Sequence, residues 1–355
     1  MEGIMSIPKL RKKIDSIDAR IVSLLDDRAK VSLLIGKEKS KTKKSVYASD
    51  REKKVLDRIK KLSKGPITSA ALDAIYREVM SSSLSLEKSL KIAYLGPQAS
   101  YTHLAARKKF GSQVTYVSCS NIPEVFQRVE KSDCDYGVVP IENSIEGAVT
   151  HTLDPLIDSD LKICAQVMLE ISHNLLSKGS ADKIKEIYSN PQVFGQCRNW
   201  IRNNLSKAEL VEVSSTTRAA QIASKKKTSA CIASALAAQV YDLKVLKKGI
   251  EDFSHNITRF LVIAKDDVSP TGEDRTSVLF SIKDKVGALH EMLMPFSRNK
   301  INLTKIESRP SKKRAWDYYF FVDCEGHRMD KKVQKALKEL EGKCKYLKIL
   351  GSYPL

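Results

Sequence analysis

The feature that most constrains this fold is a long apolar stripe near the N-terminus. Its members recur with alternating spacings of three and four, which is typical of the core stripe of a coiled-coil-like helix. They are Leu10, Ile14, Ile17, Ile21, Leu24, Val31 and Ile35. No proline lies between Lys9 and Gly65, so we predict one long helix from about Pro8 to the Lys39–Lys44 cluster. A second helix should start at Ser49 and a third at Pro66, and SSSLSLEKSL at 81–90 should end this all-helical unit.

Two cations lie on this helix where an apolar residue would be expected. Arg28 follows Leu24 by four residues and precedes Val31 by three, so it lies inside the stripe. Lys39 lies about three turns further on and shares its face. Because a buried unpaired charge is costly, each cation needs an anion from a ligand or another helix, or must reach water along the surface. Both alternatives remain open at this point.

Arg11 carries a geometric argument about assembly. From Arg11 to Lys39 is roughly 28 positions, or about 42 Å of straight helix. No small metabolite spans that distance. If Arg11 serves the same site as Lys39, it must therefore come from a second copy of the chain, and an intertwined helical dimer follows.

The hydrophobic pattern changes after residue 90, which indicates further domains in this 355-residue chain. Strand-like runs now alternate with helical stretches at 100–109, 121–131, 192–204 and 216–225, which predicts an α/β sheet segment. The strand-like runs are KIAYLG, VTYVS, YGVVPI, LKICAQVMLEI, IKEIYS, LVEVSS, SACIAS and TRFLVIAK. Polar DDVSPTGEDR at 266–275 predicts a linker, and the remainder follows a ferredoxin-like βαββαβ order. We therefore predict domains at 1–90, 91–268 and 276–355.

Composition excludes several classes of protein. The formal charge is +19, but the lysines are spread over all regions and are rarely interleaved with aromatics, which favours a solvated surface or the steering of small anions over nucleic-acid binding. The 7 cysteines are scattered and form no Cys-x-x-Cys pair, which argues against a disulfide framework or a structural zinc site. No run of about 18 apolar residues and no secretory leader is present, so we expect a cytoplasmic protein.

The helical segment resembles the all-helical chorismate mutases over its whole length. The motifs are L-R-x-K-I-D at 10–15, L-L-x-x-R at 24–28, I-G-x-x-K at 35–39, D-R-E at 50–52 and S-x-x-x-E at 83–87. The resemblance implies that Arg28, Lys39 and the partner's Arg11 bind the carboxylates and ether oxygen of chorismate. It implies that four further residues complete the pocket: Arg51, Glu52, Ser83 and Glu87.

A cage of cations suits the reaction, because a pericyclic rearrangement needs a held dianion and a stabilised ether oxygen rather than a nucleophile or metal. Two details qualify the match. Some relatives carry an acid where this chain has Ala48, which puts the expected contact with the substrate hydroxyl in question. Ser49 to Glu52 also fits a helix capping box, a role that Glu52 could combine with the pocket.

The α/β segment resembles prephenate dehydratase, whose fold has two lobes like a periplasmic binding protein, with the active site between them. Four motifs occur in order, Y-L-G-P-Q-A-S-Y-T-H at 94–103, V-P-I-E-N-S at 139–144, S-N-P-Q-V-F-G-Q-C at 189–197 and T-R-F at 258–260, with I-E-D at 250–252 before the last. The resemblance makes Thr258 the hydrogen-bond donor at the leaving hydroxyl. We expect Glu142 to supply the proton if burial raises its pKa.

The remaining dehydratase motif residues are expected to hold the substrate. Asn143, Ser189 and Gln196 should orient prephenate, and Arg259 should anchor a carboxylate. Further polar contacts are expected from Ser100, Thr102 and Ser144. Alternatively, Glu142 and Asn143 cap a helix, Thr258 is an ordinary strand residue and Arg259 a surface cation. Asn190 stands where the family usually has histidine, a change expected to alter local hydrogen bonds only.

The C-terminal segment resembles an ACT domain, with G-A-L-H at 287–290 and E-S-R-P at 307–310. Gly287 permits close approach of a ligand to the backbone, and the helix that follows offers N–H groups to an amino-acid carboxylate. The resemblance implies an L-phenylalanine site formed by Gly287, Ala288, Leu289, Asn302, Glu307 and Ser308. The alternative is a dimerisation domain without a ligand.

Together the resemblances imply a multidomain enzyme that makes prephenate from chorismate and phenylpyruvate from prephenate, under feedback by L-phenylalanine. They imply a homodimer or higher homo-oligomer, without cofactor or metal and without nucleic-acid or membrane partners. The principal alternative is a monofunctional prephenate dehydratase with an inert helical dimerisation domain. A two-lobed regulator is disfavoured because no DNA-binding helix-turn-helix is evident.

Overall fold

The computed structural model describes residues 6–42, 47–253, 255–282, 286–311 and 318–355. The chain forms two compact units. The first comprises Met1–Ala48, Val55–Leu90 and Phe110–Thr115, and the second comprises Ser49–Lys54, Lys91–Lys109 and Tyr116–Leu355. Several predicted features extend beyond the described residues, namely the lysines at 43 and 44, the end of TSVLFSIKD and the first residues of WDYYFFVDCEG.

The N-terminal helices follow the prediction closely. They are α1 (Ile7–Thr42), α2 (Ser49–Leu62) and α3 (Ser69–Glu87). Helix α3 begins later than predicted because Thr68 is its N-cap, with a side chain that accepts the Ala71 N–H at 3.2 Å. The capping box predicted at Ser49 is wrong. Ala48 occupies the N-cap position of α2, and the Ser49 hydroxyl donates to the Cys164 carbonyl at 2.5 Å.

The apolar stripe of α1 is exposed within the single chain. Its members are between 43% and 66% exposed: Leu10, Ile14, Ile17, Ile21, Leu24, Val31 and Ile35. Helix α1 instead turns a face with buried Ser32 and Gly36 towards α3. The stripe therefore does not form an internal core within the single chain, and a continuous apolar surface of this length is unfavourable in water.

The first lobe of the second unit is a mixed sheet with strand order β2-β1-β3-β11-β5, and β4 pairs with β3. The strands are β1 (Lys91–Leu95), β2 (Thr115–Cys119), β3 (Tyr136–Asn143), β4 (Gly147–Ala148), β5 (Lys162–Glu170) and β11 (Ile257–Ala264). The helices between them are α4 (Tyr101–Phe110), α5 (Ile122–Glu130) and α6 (Thr150–Asp158). Strand β11 therefore returns from the end of the segment to lie between β3 and β5.

The second lobe has the strand order β10-β6-β9-β7-β8. Its strands are β6 (Asn174–Ser177), β7 (Glu186–Ser189), β8 (Glu209–Glu212), β9 (Ser229–Ala233) and β10 (Lys244–Lys247). Its helices are α7 (Pro191–Gln196), α8 (Arg198–Asn204), α9 (Thr216–Ala223) and α10 (Ala235–Val240), with a 3₁₀ turn at Ala181–Lys183. The helix predicted at 192–204 is thus two helices joined at Cys197. The short elements β4, β6, β10, α6 and α10 were not predicted.

The C-terminal domain has the predicted βαββαβ order and forms a sheet with strand order β13-β14-β12-β15. Its elements are β12 (Asp274–Ser281), α11 (Ala288–Arg298), β13 (Leu303–Pro310), β14 (Tyr318–Glu325), α12 (Lys331–Glu341) and β15 (Tyr346–Pro354). Four side chains of this domain join the apolar core of the first lobe: Leu279, Phe321, Leu350 and Tyr353. The two domains therefore share one continuous apolar core.

The seven cysteines are free in the structure; Cys344 is partly exposed and the other six are buried. Burial raises the pKa of the Cys164 and Cys197 thiols to about 12, so they stay protonated. Across the described ranges, no helix is both long enough and apolar enough to cross a membrane.

Candidate active and regulatory sites

The two cations of α1 both face α3 and have partners there. Arg28 donates through Nη1 to the Ser83 hydroxyl, and Ser83 Oγ in turn donates to the Val79 carbonyl at 2.9 Å. Lys39 Nζ lies 2.9 Å from Oε2 of Glu87. The guanidinium and the ammonium are thus held by side chains rather than extended into water, and the sequence motifs at 24–28, 35–39 and 83–87 meet at one place.

Close approach of the helices explains the glycine in I-G-x-x-K. A Cβ atom built at Gly36 would lie 2.9 Å from Cα of Glu87, a distance that side chains do not adopt. Glycine therefore brings α1 and α3 together at the level where Lys39 meets Glu87. In this pair the Glu87 carboxylate accepts a hydrogen bond from Lys39. Glu87 could donate a hydrogen bond to the substrate only after a substrate carboxylate had replaced it as the partner of Lys39.

The other residues predicted for this pocket lie elsewhere on the helices. Arg11 is exposed near the start of α1, and Arg51 is exposed in the first turn of α2. Oε2 of Glu52 lies 2.8 Å from Nζ of Lys109.

In the first lobe of the α/β segment, strand pairing places Thr258 directly opposite Asn143. Arg259 is opposite Glu142 in the same antiparallel pair of β11 and β3. Because successive side chains of a strand point to opposite faces, Thr258 and Asn143 share one face and Arg259 and Glu142 share the other. The adjacent residues of the E-N-S and T-R-F motifs therefore serve two different surroundings.

The hydrogen bonds around Asn143 have a defined direction. Its Oδ1 accepts the backbone N–H groups of Ile145 and Glu146, both at 3.0 Å. The amide nitrogen must then be the group that faces Thr258 Oγ1 and Asn256 Oδ1, each at 2.7 Å. Thr258 accepts this hydrogen bond, so its own hydroxyl proton remains to be donated to a substrate.

The same direction continues into Gln196. Because Asn256 Oδ1 is an acceptor, its Nδ2 donates to Gln196 Oε1 at 3.1 Å. His173 Nε2 also contacts Gln196 Oε1, at 2.7 Å, and His173 Nδ1 lies 2.8 Å from the Tyr101 hydroxyl. A buried chain of polar side chains thus runs from Thr258 to Tyr101 and joins the two lobes.

The I-E-D motif at 250–252 supports the helix that carries Gln196. The Asp252 N–H donates to the Gln196 carbonyl at 2.7 Å. The Asp252 carboxylate accepts the backbone N–H groups of Asn199 and Trp200 at 2.9 and 3.1 Å, at the start of α8. Glu251 Oε2 accepts the His173 N–H at 2.8 Å.

Of the other predicted contact residues, several have structural partners. Ser100 Oγ donates to the Leu95 carbonyl at 3.0 Å, and Ser144 Oγ to the His255 carbonyl at 3.0 Å. Ser189 is fully buried and donates to the Ile232 carbonyl at 2.9 Å, and Thr102 is buried in α4. Asn190, which replaces the usual histidine, is the N-cap of α7 and accepts the Val193 N–H at 3.0 Å.

Arg259 does not anchor a carboxylate in the cleft, contrary to the sequence expectation. It is 5% exposed, and its guanidinium donates to Gln166 at 2.9 Å, to Asp323 at 2.6 Å and to the Tyr353 hydroxyl at 2.7 Å. Asp323 and Tyr353 belong to the C-terminal domain, and Ser277 closes the ring between them with bonds of 2.5 and 2.7 Å. The motif arginine is therefore a buried link between the two domains.

Glu142 also faces the C-terminal domain. Its Oε1 lies 3.0 Å from Nζ of Lys305, and its Oε2 lies 3.8 Å from Nη1 of Arg259. The Glu142 carboxylate therefore faces these two cations, on the face of β3 opposite to the one that Asn143 shares with Thr258.

The residues predicted to bind an effector lie at the start of α11 and along β13. Gly287 is the N-cap of α11 with φ of 78°, and Ala288 is buried while Leu289 is partly exposed. Along β13 the side chains alternate, and Asn302 and Ser308 are exposed whereas Glu307 is half-buried. On the half-buried face, Lys305 binds Glu142 and Arg309 lies 3.0 Å from Asp154 of α6. The exposed face of β13 thus carries Ser308, whereas Glu307 shares the half-buried face with the contacts of Lys305 and Arg309 to the first lobe.

Sequence reasoning missed His173, Tyr101, Asn256, Lys305 and Asp323. Asn256 could have been found, because it precedes Thr258 by two residues and a strand places such pairs on one face. Tyr101 lies inside the motif at 94–103 but was not singled out, and no local sequence pattern marks His173, Lys305 or Asp323.

Comparison with known proteins adds three family matches in chain order. They are "Chorismate mutase type II" at residues 10–88, "Prephenate dehydratase" at 92–268 and "ACT domain" at 276–342. A protein of Aquifex aeolicus named bifunctional chorismate mutase/prephenate dehydratase is 48% identical, over 98% of each chain. A protein of Stutzerimonas stutzeri with the same name is 44% identical, over 97% of this chain and 96% of its own. The crystal structure of prephenate dehydratase from Arthrobacter aurescens in complex with L-Phe is 32% identical, with a TM-score of 0.70 over 75% of this chain and 90% of that chain.

Proposed function

The chain belongs to the family of bifunctional chorismate mutase/prephenate dehydratases, and on that premise we propose which residues carry its two reactions and how they are controlled. The enzyme converts chorismate to prephenate by a Claisen rearrangement. It then converts prephenate to phenylpyruvate by a decarboxylative dehydration, which commits the product to phenylalanine.

For the mutase reaction, Arg28 and Lys39 bind the two carboxylates and the ether oxygen of chorismate. Both cations are already held against α3, so little reorganisation is needed when the dianion replaces Ser83 and Glu87 as their partner. Negative charge that develops on the ether oxygen is stabilised by the same cations.

For the dehydratase reaction, the observation that carries the proposal is the direction of the hydrogen bond from Asn143 to Thr258. Loss of carbon dioxide supplies the electron pair that aromatises the ring. The ring hydroxyl leaves at the same time and takes the electron pair of its C–O bond. Thr258 donates its hydroxyl proton in a hydrogen bond to this departing oxygen. Gln196 presents its amide N–H₂ to a substrate carboxylate, and Glu142 contacts Lys305 of the C-terminal domain.

The test uses the intact protein with chorismate, following prephenate and phenylpyruvate separately. Thr258→Ala should still consume chorismate but accumulate prephenate, whereas Thr258→Ser should keep partial dehydratase activity because it retains the hydroxyl. Normal turnover by the alanine variant would leave Thr258 with a structural role only.

We further propose that L-phenylalanine binds the C-terminal domain at Gly287 and the exposed face of β13 and inhibits the dehydratase. The α11 N-terminus offers N–H groups to the amino-acid carboxylate. Inhibition follows if phenylalanine binds better to an arrangement in which β13 has moved relative to Glu142 and Asp154. A tenfold preference, about 1.4 kcal/mol per site, gives visible control. Calorimetric titration of L-phenylalanine beside a dehydratase assay tests this, and absence of binding at millimolar ligand would defeat it.

The exposed stripe of α1 supports a homodimer in which the partner's Arg11 completes each chorismate pocket. Burying seven large apolar side chains against their copies would remove the most extended apolar surface of the helical unit from water. Arg11→Ala should therefore lower mutase activity without dissociating the dimer. A location in the cytoplasm suits a chain whose cysteines are all free.

The alternative of an inert helical dimerisation domain remains testable on the same chain. It predicts that the protein forms phenylpyruvate from supplied prephenate but does not consume chorismate. What supports an active mutase is that the motif residues Arg28, Lys39 and Glu87 meet where α1 contacts α3.

A further inference from the structure

His173 lies between Gln196 and Tyr101 in the series of hydrogen-bonded side chains that begins at Thr258. His173 is 1% exposed, and both ring nitrogens and its backbone N–H have partners. It lies at the junction of the two lobes, where β5 leads into β6. The Tyr101 ring meets the imidazole edge-on, with centroids 5.8 Å apart.

The protonation of this imidazole follows from the backbone. The N–H groups of Ile145 and Glu146 fix the orientation of the Asn143 amide. The Asn143 amide nitrogen then fixes the orientation of the Asn256 amide. Asn256 Nδ2 therefore donates to Gln196 Oε1, which is an acceptor. His173 Nε2 must therefore carry a proton to bind that oxygen. Burial lowers the pKa of His173, so the ring is neutral and Nδ1 holds a lone pair. The Tyr101 hydroxyl, whose pKa burial raises, lies between two acceptors, Nδ1 at 2.8 Å and the Ser172 carbonyl at 2.9 Å, so its one proton is shared between them.

This arrangement has a direct consequence for Gln196. Its Oε1 is occupied by two donors, His173 Nε2 and Asn256 Nδ2. Its amide nitrogen therefore points the other way. Gln196 Nε2 donates to Oε1 of the exposed Glu146 at 3.2 Å. Without His173 the amide could rotate and present an oxygen to the substrate, which would repel a carboxylate.

We propose that His173, as the Nε2–H tautomer that Gln196 Oε1 requires, is a positioning residue of the dehydratase that turns the Gln196 amide so that it donates to prephenate. This rests on the proposed contact of Gln196 with substrate. His173 itself touches no reacting atom. Its effect should therefore appear in substrate binding and in kcat/KM more than in kcat.

A matched pair of variants tests the proposal in the full chain. Glutamine can place an amide N–H near the position of Nε2, whereas asparagine reaches only the position of Nδ1. His173→Gln should keep kcat/KM for prephenate within about threefold of the parent, and His173→Asn should lower it about 10- to 100-fold, mainly through KM. Mutase activity of each preparation controls for the amount of protein, because it depends mainly on the other compact unit.

Equal losses in the two variants would overturn the proposal, since they would mean that the imidazole is needed only for packing. Unchanged kcat/KM in His173→Asn would overturn it as well. If the parent protein does not form phenylpyruvate at all, the proposed function fails instead, so the two failures are distinguishable.

The tautomer has its own spectroscopic test. In ¹⁵N-histidine-labelled protein, the signals that disappear in His173→Gln belong to His173. We expect one protonated nitrogen, at Nε2, and one unprotonated nitrogen at neutral pH. Tyr101→Phe should weaken the preference for that tautomer and lower kcat/KM by less than His173→Asn. A signal pair showing Nδ1–H, or two protonated nitrogens, would overturn the assignment.

Discussion

The replacement Asn143→Asp tests the direction of hydrogen bonding on which the dehydratase proposal depends. The substitution keeps the shape of the side chain and keeps an oxygen for the N–H groups of Ile145 and Glu146. It removes the amide nitrogen, which lies 2.7 Å from both Thr258 Oγ1 and Asn256 Oδ1. Two acceptor oxygens would then face each other at each of these contacts.

Thr258 can relieve its contact only by donating its hydroxyl proton to the new carboxylate. That proton is then no longer available to the departing hydroxyl of prephenate. Loss of one directed donor to a developing oxyanion costs about 2.7–4 kcal/mol, so kcat should fall by about 10²–10³. The fold should persist, because an ionised carboxylate accepts the two backbone N–H groups at least as well as the amide oxygen does.

The matched control is Asn256→Asp. It removes the donor to Gln196 Oε1 but leaves the hydrogen bond from Asn143 to Thr258 in place. Its effect should fall on KM, with kcat reduced much less. Steady-state assays with prephenate, and mutase assays on the same preparations, separate the two variants. Equal reduction of kcat in both, or kcat within about threefold of the parent in Asn143→Asp, would refute the reasoning.

Three further outcomes are expected. Arg28→Ala should lower the mutase rate by about 10²–10⁴ and spare dehydratase activity on supplied prephenate; equal loss of both would indicate a folding effect. Lys305→Met should still bind phenylalanine in calorimetry but should be inhibited less, because it removes the contact between β13 and Glu142. The control is Lys300→Met at an exposed position. Unchanged inhibition of Lys305→Met would exclude the contact between Lys305 and Glu142 as the path of inhibition. Burial lowers the pKa of His103 to about 4, so folded protein resists its protonation and stability should fall as pH drops from about 6.5 towards 4. His103→Asn, which cannot titrate there but keeps an acceptor for the Ala99 N–H, should have a melting temperature that varies less over this range.

The difference between Thr258 and Arg259 illustrates what sequence reasoning could and could not reach. Both residues stand in one motif, and the sequence assigned both to the substrate cleft. Alternation along a strand already implies that neighbours point to opposite faces. Which face meets the cleft and which meets the C-terminal domain depends on how β11 lies between β3 and β5, and no local pattern carries that information.

The apolar stripe of α1 shows a similar division. Its spacing predicted a long helix with one apolar face, and the structure contains this helix as α1. Arg28 has the sequence spacing of a member of that stripe. In the structure, however, its side chain contacts Ser83 of α3, and the apolar residues of the stripe are exposed. Spacing reports which residues share a face, but the identity of the surface that covers the face depends on the other elements.

What the sequence determined by itself is therefore local: the long helix, the order of the three domains, the βαββαβ pattern and the residue types at each motif. These follow from the spacing of apolar residues and from short-range turn and cap preferences. Only the tertiary structure decided the partners of Arg259, which are separated from it by 93, 64 and 94 residues for Gln166, Asp323 and Tyr353. It also decided the direction of the chain from Asn143 to His173, because a hydrogen bond acquires direction only when the groups on both sides of it are in place.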